Sequence, residues 1–430
     1  MRVALVNPNW SFDGSIYFGC RESHLPLEYG YAASLLGRAG HRAAIFDAQG
    51  EGLDGPQLAA RVAAFRPDMI VVTTAPSYLF WRCAPPELRV PQQTLAALHG
   101  VPGTRVAVGP HGSTTPRAAL RKLGVDAVVL GECEEVLLRL ADTPGSRWSE
   151  IAGLCRREGA EIVVQGAPQA ADMTRLPALI WPIEKLRRHH HHHHRFDVAP
   201  DGPGAEMEAS RGCPYHCTFC AKENFRDGYR RRPLAVLLDE LDGLIAAGVT
   251  YIYFIDEIFL PWRELLEALA RREVRFGVQT RIDLWREDML DLLGAAGCVS
   301  IEAGIESLTP EGRDWLDKRC RLSTEDLAAR LIHAKRSVPF VQANLIASRD
   351  DDPAVVARWR DDLRAEGVWA NEPVPLFPYP GTPDYRRLWG PPDDTAWERA
   401  VEYYIDRHAR LSDIQEARPR RLELLEAAAK

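Results

Sequence analysis

Cysteine is scarce in this chain. Nine are present among 430 residues, too few for a disulfide framework, and the odd count leaves one over in any full pairing. Long hydrophobic runs are absent: no stretch approaches the roughly 18 apolar residues of a membrane helix. The opening MRVALVNPNW lacks the basic, apolar and small-residue order of a secretory leader. These absences predict a protein of the reducing cytoplasm with no membrane partner. Charge of one sign is wanting too. Lys and Arg number 53 against 60 Asp and Glu, a net charge of −7, with no basic stripe of the kind that binds nucleic acid, so no nucleic-acid partner is expected. No Gly-x-Gly-x-x-Gly follows the first apolar run, which argues against an ordinary dinucleotide site. No internal repeat is evident.

What is present is an average globular composition, 46% hydrophobic and 26% charged, in a length that suits two or three domains. Residues 2–8, 42–48, 68–74, 105–110 and 127–132 are short, almost continuously apolar runs. They read as strands buried on both faces. Helical patterns at 27–39, 56–65, 91–99 and 116–123 alternate with them. This order predicts an α/β fold with a doubly wound, Rossmann-like parallel sheet over residues 1–150. Residues 151–204, where the pattern degrades into short strands, prolines and six histidines at His189–His194, read as a linker. That run has a solvated linker or a polar lid over the domain cleft as its two readings. A second βα series follows over 205–385, with strands expected at 206–210, 251–256, 275–281, 299–307, 340–347 and 372–379. Helices fit 234–247, 262–271, 286–296, 324–335 and 353–366. Six such units make a partial barrel, short of the eight that close one. Residues 386–430 read as a helical tail.

Three of the nine cysteines, Cys213, Cys217 and Cys220, stand in SRGCPYHCTFCAKENF directly after the first strand of the second series. Three thiolates in one loop do not complete the four-ligand set of an ordinary iron–sulfur cluster or structural zinc site. The nearest other cysteines are Cys155 and Cys298. A zinc knuckle completed by His216 or by a distant residue is the competing reading. The other six, Cys20, Cys83, Cys133, Cys155, Cys298 and Cys320, read as packed thiols.

The string resembles the cluster loop of radical S-adenosylmethionine (SAM) enzymes. The resemblance implies a 4Fe–4S cluster on Cys213, Cys217 and Cys220, SAM on the remaining iron, and a partial (β/α)6 barrel. It places Phe219 beside the adenine. Ile255-Asp256-Glu257 stands where many members carry Gly-Gly-Glu, which makes Asp256 the candidate for the SAM amino group; capping of the following helix is its other reading. Glu306 and Ser307, in Gly304-Ile305-Glu306-Ser307, resemble the stretch at the fourth strand that faces SAM. Gln279 and Arg281 close the third strand, and the planar fork of Arg281 suits the SAM carboxylate or a structural ion pair.

The sheet ahead of the barrel resembles the cobalamin-binding domain of one large subgroup, and the resemblance runs from Val3 to about Tyr385. In open parallel sheets ligands lie beyond the carboxyl ends of the strands. The resemblance accordingly makes Pro8, Asn9, Tyr78, Gly109, Pro110, His111, Gly131 and Glu132 the candidate cobalamin contacts. Leu27-Glu28-Tyr29-Gly30 and the segment Pro378-Tyr379-Pro380-Gly381-Thr382-Pro383 fit the same subgroup. The Asp-x-His-x-x-Gly motif that puts a histidine beneath cobalt is missing, so the axial ligand stays open. Trp81 reads as a cobalamin neighbour or as packing against the barrel, and His111 as a loop-packing residue before a cobalt ligand.

The implied enzyme is a cobalamin-dependent radical SAM methyltransferase acting on a carbon centre, using a 5′-deoxyadenosyl radical and methylcobalamin. Its cofactors are the 4Fe–4S cluster, SAM and cobalamin. An electron donor such as flavodoxin or ferredoxin, and a small-molecule or peptide substrate, are its expected partners. A rearrangement, cyclisation or oxidation without methyl transfer is the alternative; a corrinoid or redox sensor is the remote one.

Overall fold

The computed structural model describes residues 1–17, 23–189, 202–411 and 418–427. Cys20, His190–His194 and parts of the expected tail lie outside the described residues.

Five runs form β1 (Arg2–Asn7), β2 (Arg42–Asp47), β3 (Met69–Thr73), β4 (Thr104–Val108) and β5 (Ala127–Val129). They pair in parallel in the order β2-β1-β3-β4-β5, so strand order reverses between β1 and β3. Their continuous apolarity has a direct cause. Val3, Leu5, Met69 and Val71 face one core with the helices Leu27–Arg38 and Glu134–Asp142. Ala4, Val6, Ile70 and Val72 face a second core with Gly55–Phe65, Arg89–Ala97 and Pro116–Leu123. Each large apolar side chain so buried contributes about 1.5–3 kcal/mol.

The sheet continues past residue 150. A hairpin of β6 (Leu154–Glu158) and β7 (Glu161–Gln165) adds to β5 in antiparallel fashion, so the expected linker is shorter than 151–204. Arg156, Arg157, Glu158 and Glu161 on this edge hide it from a search for buried strands. The connecting segment is packed as well: Met173, Leu176, Leu179, Trp181 and Leu186 are buried. His189, read with the rest of its run as solvated or as a lid, is 2% exposed.

The second sheet contains β8 (Gly204–Met207), β11 (Tyr251–Phe254), β12 (Arg275–Thr280), β13 (Cys298–Glu306), β14 (Phe340–Leu345) and β15 (Trp369–Ala370). All six are parallel, in sequence order across the sheet, the partial barrel expected. Two short strands, β9 (Ser210–Arg211) and β10 (Arg230–Arg231), pair beside it and bracket the cysteines. The sixth strand is shorter and earlier than 372–379. Prolines at 373, 375 and 378 cannot donate to a ladder, and a single bridge from Ile346 to Val374 is what continues.

The tail crosses back to the first sheet. Trp397 Nε1 donates to Thr115 Oγ1 at 3.1 Å, the Leu88 N–H to Glu426 Oε1 at 3.1 Å, and the Arg420 N–H to the Gly14 carbonyl at 2.7 Å. Among the described residues no helix is long and apolar enough to cross a membrane.

Candidate active site

Ser210, Arg211 and Gly212 each do something different at the head of the cysteine loop. The Ser210 hydroxyl donates to Asp256. Arg211 is fully buried and reaches Glu208, Glu132 and Glu134 at 2.7–2.8 Å. Gly212 has φ +76, and a Cβ there would meet the Gly228 carbonyl at 2.2 Å; only glycine turns the chain this tightly. Its N–H donates to Glu257 Oε2 at 2.8 Å. The loop is then pinned from outside: the Thr218 N–H donates to the Leu316 carbonyl at 3.1 Å, and Thr218 Oγ1 to Asp384 at 3.1 Å.

Cys213, Cys217 and Cys220 are free thiols of intermediate exposure. Burial pushes all three up, Cys220 to about 12, while Lys222, Lys318, Arg281 and Arg82 pull in the opposite direction. A bound metal would deprotonate them outright. The only trio of potential ligands within 4.8 Å of one another among the described residues lies elsewhere.

Around the loop stand the groups expected for SAM. Arg281 lies over the Tyr215 ring at 3.9 Å and pairs with Asp283 through Nε and Nη2 at 3.1 and 2.8 Å. Its buried Nη1 has no hydrogen-bond partner, which leaves a donor for a carboxylate. Gln279 donates from Nε2 to the Tyr253 hydroxyl at 2.6 Å and accepts from Arg82. Glu306 has φ +67 at a register shift in β13, a strained position for a side-chain-bearing residue, and pairs with Lys318 at 2.7 Å. Ser307 Oγ donates to Asp351 at 2.5 Å. Asp256 is buried and accepts from the Ala209 N–H at 2.8 Å as well as from Ser210; burial pushes it up to about 7. In this form it braces the loop from behind. Phe219 sits one residue ahead of Cys220 within the loop.

Arg82, Lys318 and Tyr215 are marked by no sequence motif, and Glu257 stands in the Ile255-Asp256-Glu257 string without an expected role of its own. Arg82 is the informative omission. It comes from the first domain, yet it donates to Gln279 and, at 3.4 Å, to the Asp256 carbonyl. Nothing in the local pattern of TTAPSYLFWR marks that reach.

The ends of the first sheet are filled differently. Pro8 is buried and Asn9 exposed, with Asn9 Nδ2 donating to the Leu53 carbonyl at 3.2 Å. A Cβ at Gly109 would meet Thr74 Oγ1 at 2.3 Å, and one at Gly131 the Gln169 carbonyl at 2.2 Å. Both glycines serve close packing of the protein on itself. His111, beside Pro110, is buried against Trp397 with ring centroids 4.6 Å apart; its Nε2 faces the Pro86 carbonyl at 3.4 Å, and burial pushes the imidazole down to about 3. Trp81 is buried against Phe225 of the barrel domain. Tyr78 is covered by Arg226 and Arg211, whose guanidinium carbons lie 4.1 and 4.5 Å from its ring centre. Glu132 pairs with Arg211 and Arg230 at 2.8 and 2.5 Å, and these cations hold it down at about 2 against the effect of its burial. Between Trp81, Pro110, Asn224, Tyr379 and Trp397 remains a space of about 10 Å³. As these residues stand they leave no seat for a corrin in that space, and the turn Tyr78–Cys83 would have to move to make one.

Residues 207–347 match the model of the Radical SAM superfamily. The anaerobic magnesium-protoporphyrin IX monomethyl ester cyclase of Cereibacter sphaeroides is 28% identical over 409 residues, covering 88% of this chain and 63% of that protein. The hopanoid C-3 methylase of Methylococcus capsulatus is 27% identical over 423 residues, covering 93% and 74%. The chain spans slightly under two thirds of the length of the first curated relatives it matches. The solved radical SAM methyltransferase TsrM of Kitasatospora setae, with cobalamin and a [4Fe-4S] cluster bound, superimposes with a TM-score of 0.71 at 19% identity, over 96% of this chain and 86% of that one.

Proposed function

We propose that this chain, whose residues 207–347 match the Radical SAM superfamily model, is a cobalamin-dependent radical SAM methyltransferase acting on a carbon centre of a small-molecule or peptide substrate. One observation carries the reading: three partly buried thiols in one pinned loop, beside a buried guanidinium nitrogen with no partner. Bound there, the cluster and SAM would supply a 5′-deoxyadenosyl radical, and cobalamin, if seated at the first sheet, would supply the methyl group. Cys213, Cys217 and Cys220 would hold the cluster, and three protein ligands leave one iron for SAM. Arg281 Nη1 would take the SAM carboxylate, while its other nitrogens stay on Asp283 and fix the fork. Gln279, Glu306 and Ser307 would line the same end of the barrel, and Phe219 would lie against the adenine. Gly212 and Asp256 would keep the loop at its height above β8. Cobalamin rests on the likeness of the fold; Pro8, Asn9, Tyr78, Gly109, Pro110, His111, Gly131 and Glu132 would be its neighbours only if the interface opened. A flavodoxin or ferredoxin would deliver the electron.

The cyclase relative, which covers 88% of this chain, favours a second reading in which the radical acts without methyl transfer. The anaerobic protein, given SAM, reductant and cobalamin, separates the two. Methyl transfer requires one 5′-deoxyadenosine and one S-adenosylhomocysteine per product, and a product heavier by one methylene. Deoxyadenosine with no added methylene supports the second reading, and failure to cleave SAM at all overturns both.

A further inference from the structure

Three buried residues from three separate parts of the chain converge away from the cysteine loop. His24 stands just before the helix Leu27–Arg38, His189 just after the helix Ile183–Arg188, and Glu206 on β8. Their ligand atoms all lie within 4.8 Å of one another. His24 Nδ1 is 2.5 Å from Glu206 Oε1, and His189 Nε2 is 2.7 Å from Glu206 Oε2. Glu206 is 0% exposed, His189 2% and His24 8%. We propose that His24, His189 and Glu206 form a binding site for a divalent transition metal of the zinc class, joining the first sheet, the connecting segment and the barrel.

The geometry around the trio is that of a supported metal site. The second ring nitrogen of His189, Nδ1, faces the Gly204 carbonyl at 3.0 Å. A backbone acceptor on one nitrogen fixes the tautomer and aims the other at the metal, the usual outer-shell arrangement. Glu206 Oε2 is oriented by the Leu25 N–H at 3.1 Å. Two imidazoles and one carboxylate suit zinc and its neighbours; calcium and magnesium prefer sets made of oxygen. Metal binding needs both imidazoles neutral and Glu206 ionised, so affinity should fall as the pH drops. His189 also lines a cavity of about 530 Å³, together with Asp47, Trp181 and Lys185. The trio needs neither His190–His194 nor the cluster.

The test is zinc analysis of the full-length, cluster-loaded protein, with Zn2+ itself as the probe. The expected result is about one zinc per chain in addition to cluster iron, with a zinc X-ray absorption spectrum showing nitrogen and oxygen scatterers and no sulfur. A chain with His190–His194 replaced by serine should keep that zinc. His24→Asn and Glu206→Gln should each weaken it by about 100-fold or more. The proposal is overturned if the unaltered chain takes up no stoichiometric zinc at micromolar free metal. It is equally overturned if the spectrum shows sulfur ligation, if the serine replacement removes the metal, or if folded His24→Asn and Glu206→Gln chains bind zinc unchanged. Should the single substitutions unfold the chain, ligand identity in the unaltered protein decides.

Discussion

The molecule contains two parallel sheets, and chemistry was expected at the carboxyl ends of both. At the second sheet those ends are open: three thiols are half-exposed, Arg281 keeps a buried donor without a partner, and Glu306 holds a strained backbone. At the first they are closed. Gly109 and Gly131 pack against neighbouring chain, and Tyr78 and Glu132 are sealed under Arg211, Arg226 and Arg230. Strand ends that look alike in sequence therefore differ in whether their polar groups are already satisfied. A site is readied for a ligand where donors remain unmet, whereas a site whose donors face protein must first break those contacts.

The largest expected effect tests the open end. Cys217→Ala should reduce cluster iron and SAM cleavage to background while leaving the unfolding midpoint of the apo chain nearly unchanged, because the side chain is only partly buried. Iron retained at the level of the unaltered protein would remove Cys217 from the cluster. The next tests the closed end. Arg211 pairs with Glu132, Glu134 and Glu208, all fully buried. Removing one partner of a buried ionic set strands the others at a cost of about 3–5 kcal/mol. Arg211→Met should lower stability to urea by that amount, and a loss under 1 kcal/mol would mean that the network is not what closes the interface.

The third prediction concerns pH at the same interface. Glu28 is fully buried and its burial, more than the nearby Glu134, pushes it up to about 8 from 4.5. Between those two values the folded chain keeps a proton that the unfolded chain has released. Stability should fall as pH rises through that window, by at most about 1.4 kcal/mol per unit, and then level off above pH 8. Glu28→Gln should flatten this slope and leave the chain about 2 kcal/mol more stable at pH 9, read from urea unfolding at pH 6 and pH 9. An unchanged slope would place the pH dependence on another group.

The two sheets were legible because buried parallel strands are continuously apolar, and because Cys213, Cys217 and Cys220 keep their spacing whatever surrounds them. β6 and β7 read as short strands of a linker rather than as part of the sheet because an edge strand carrying Arg156 and Glu158 has no such run. The sixth barrel strand was placed too late because proline-rich extended chain at 372–379 resembles strand until its missing donors are counted. The meeting of Arg82 with Gln279, and of His24 with His189 and Glu206, was invisible because each joins residues more than a hundred positions apart. For Glu132 the motif is legible but not what holds it: its partners, the buried Arg211 and the partly buried Arg230, lie about 80 and 100 positions further along the chain.

The smallest expected effect is the finest probe of the open end. Arg281 uses Nε and Nη2 on Asp283 and stacks on Tyr215, so its fork is fixed before any ligand arrives. Lysine would keep the charge but not the plane, and would lose either the Asp283 pair or the free donor. Arg281→Lys should therefore raise KM for SAM by about tenfold, near 1.4 kcal/mol, and change kcat less. Asp283→Asn, which weakens the fixing of the fork without removing the Nη1 donor, should raise KM by a smaller factor. If kcat fell and KM held in both variants, Arg281 would be acting on the reacting atoms or on loop position. If neither constant moved, the buried nitrogen would not be the carboxylate donor, and the open end would lose its most specific claim to SAM.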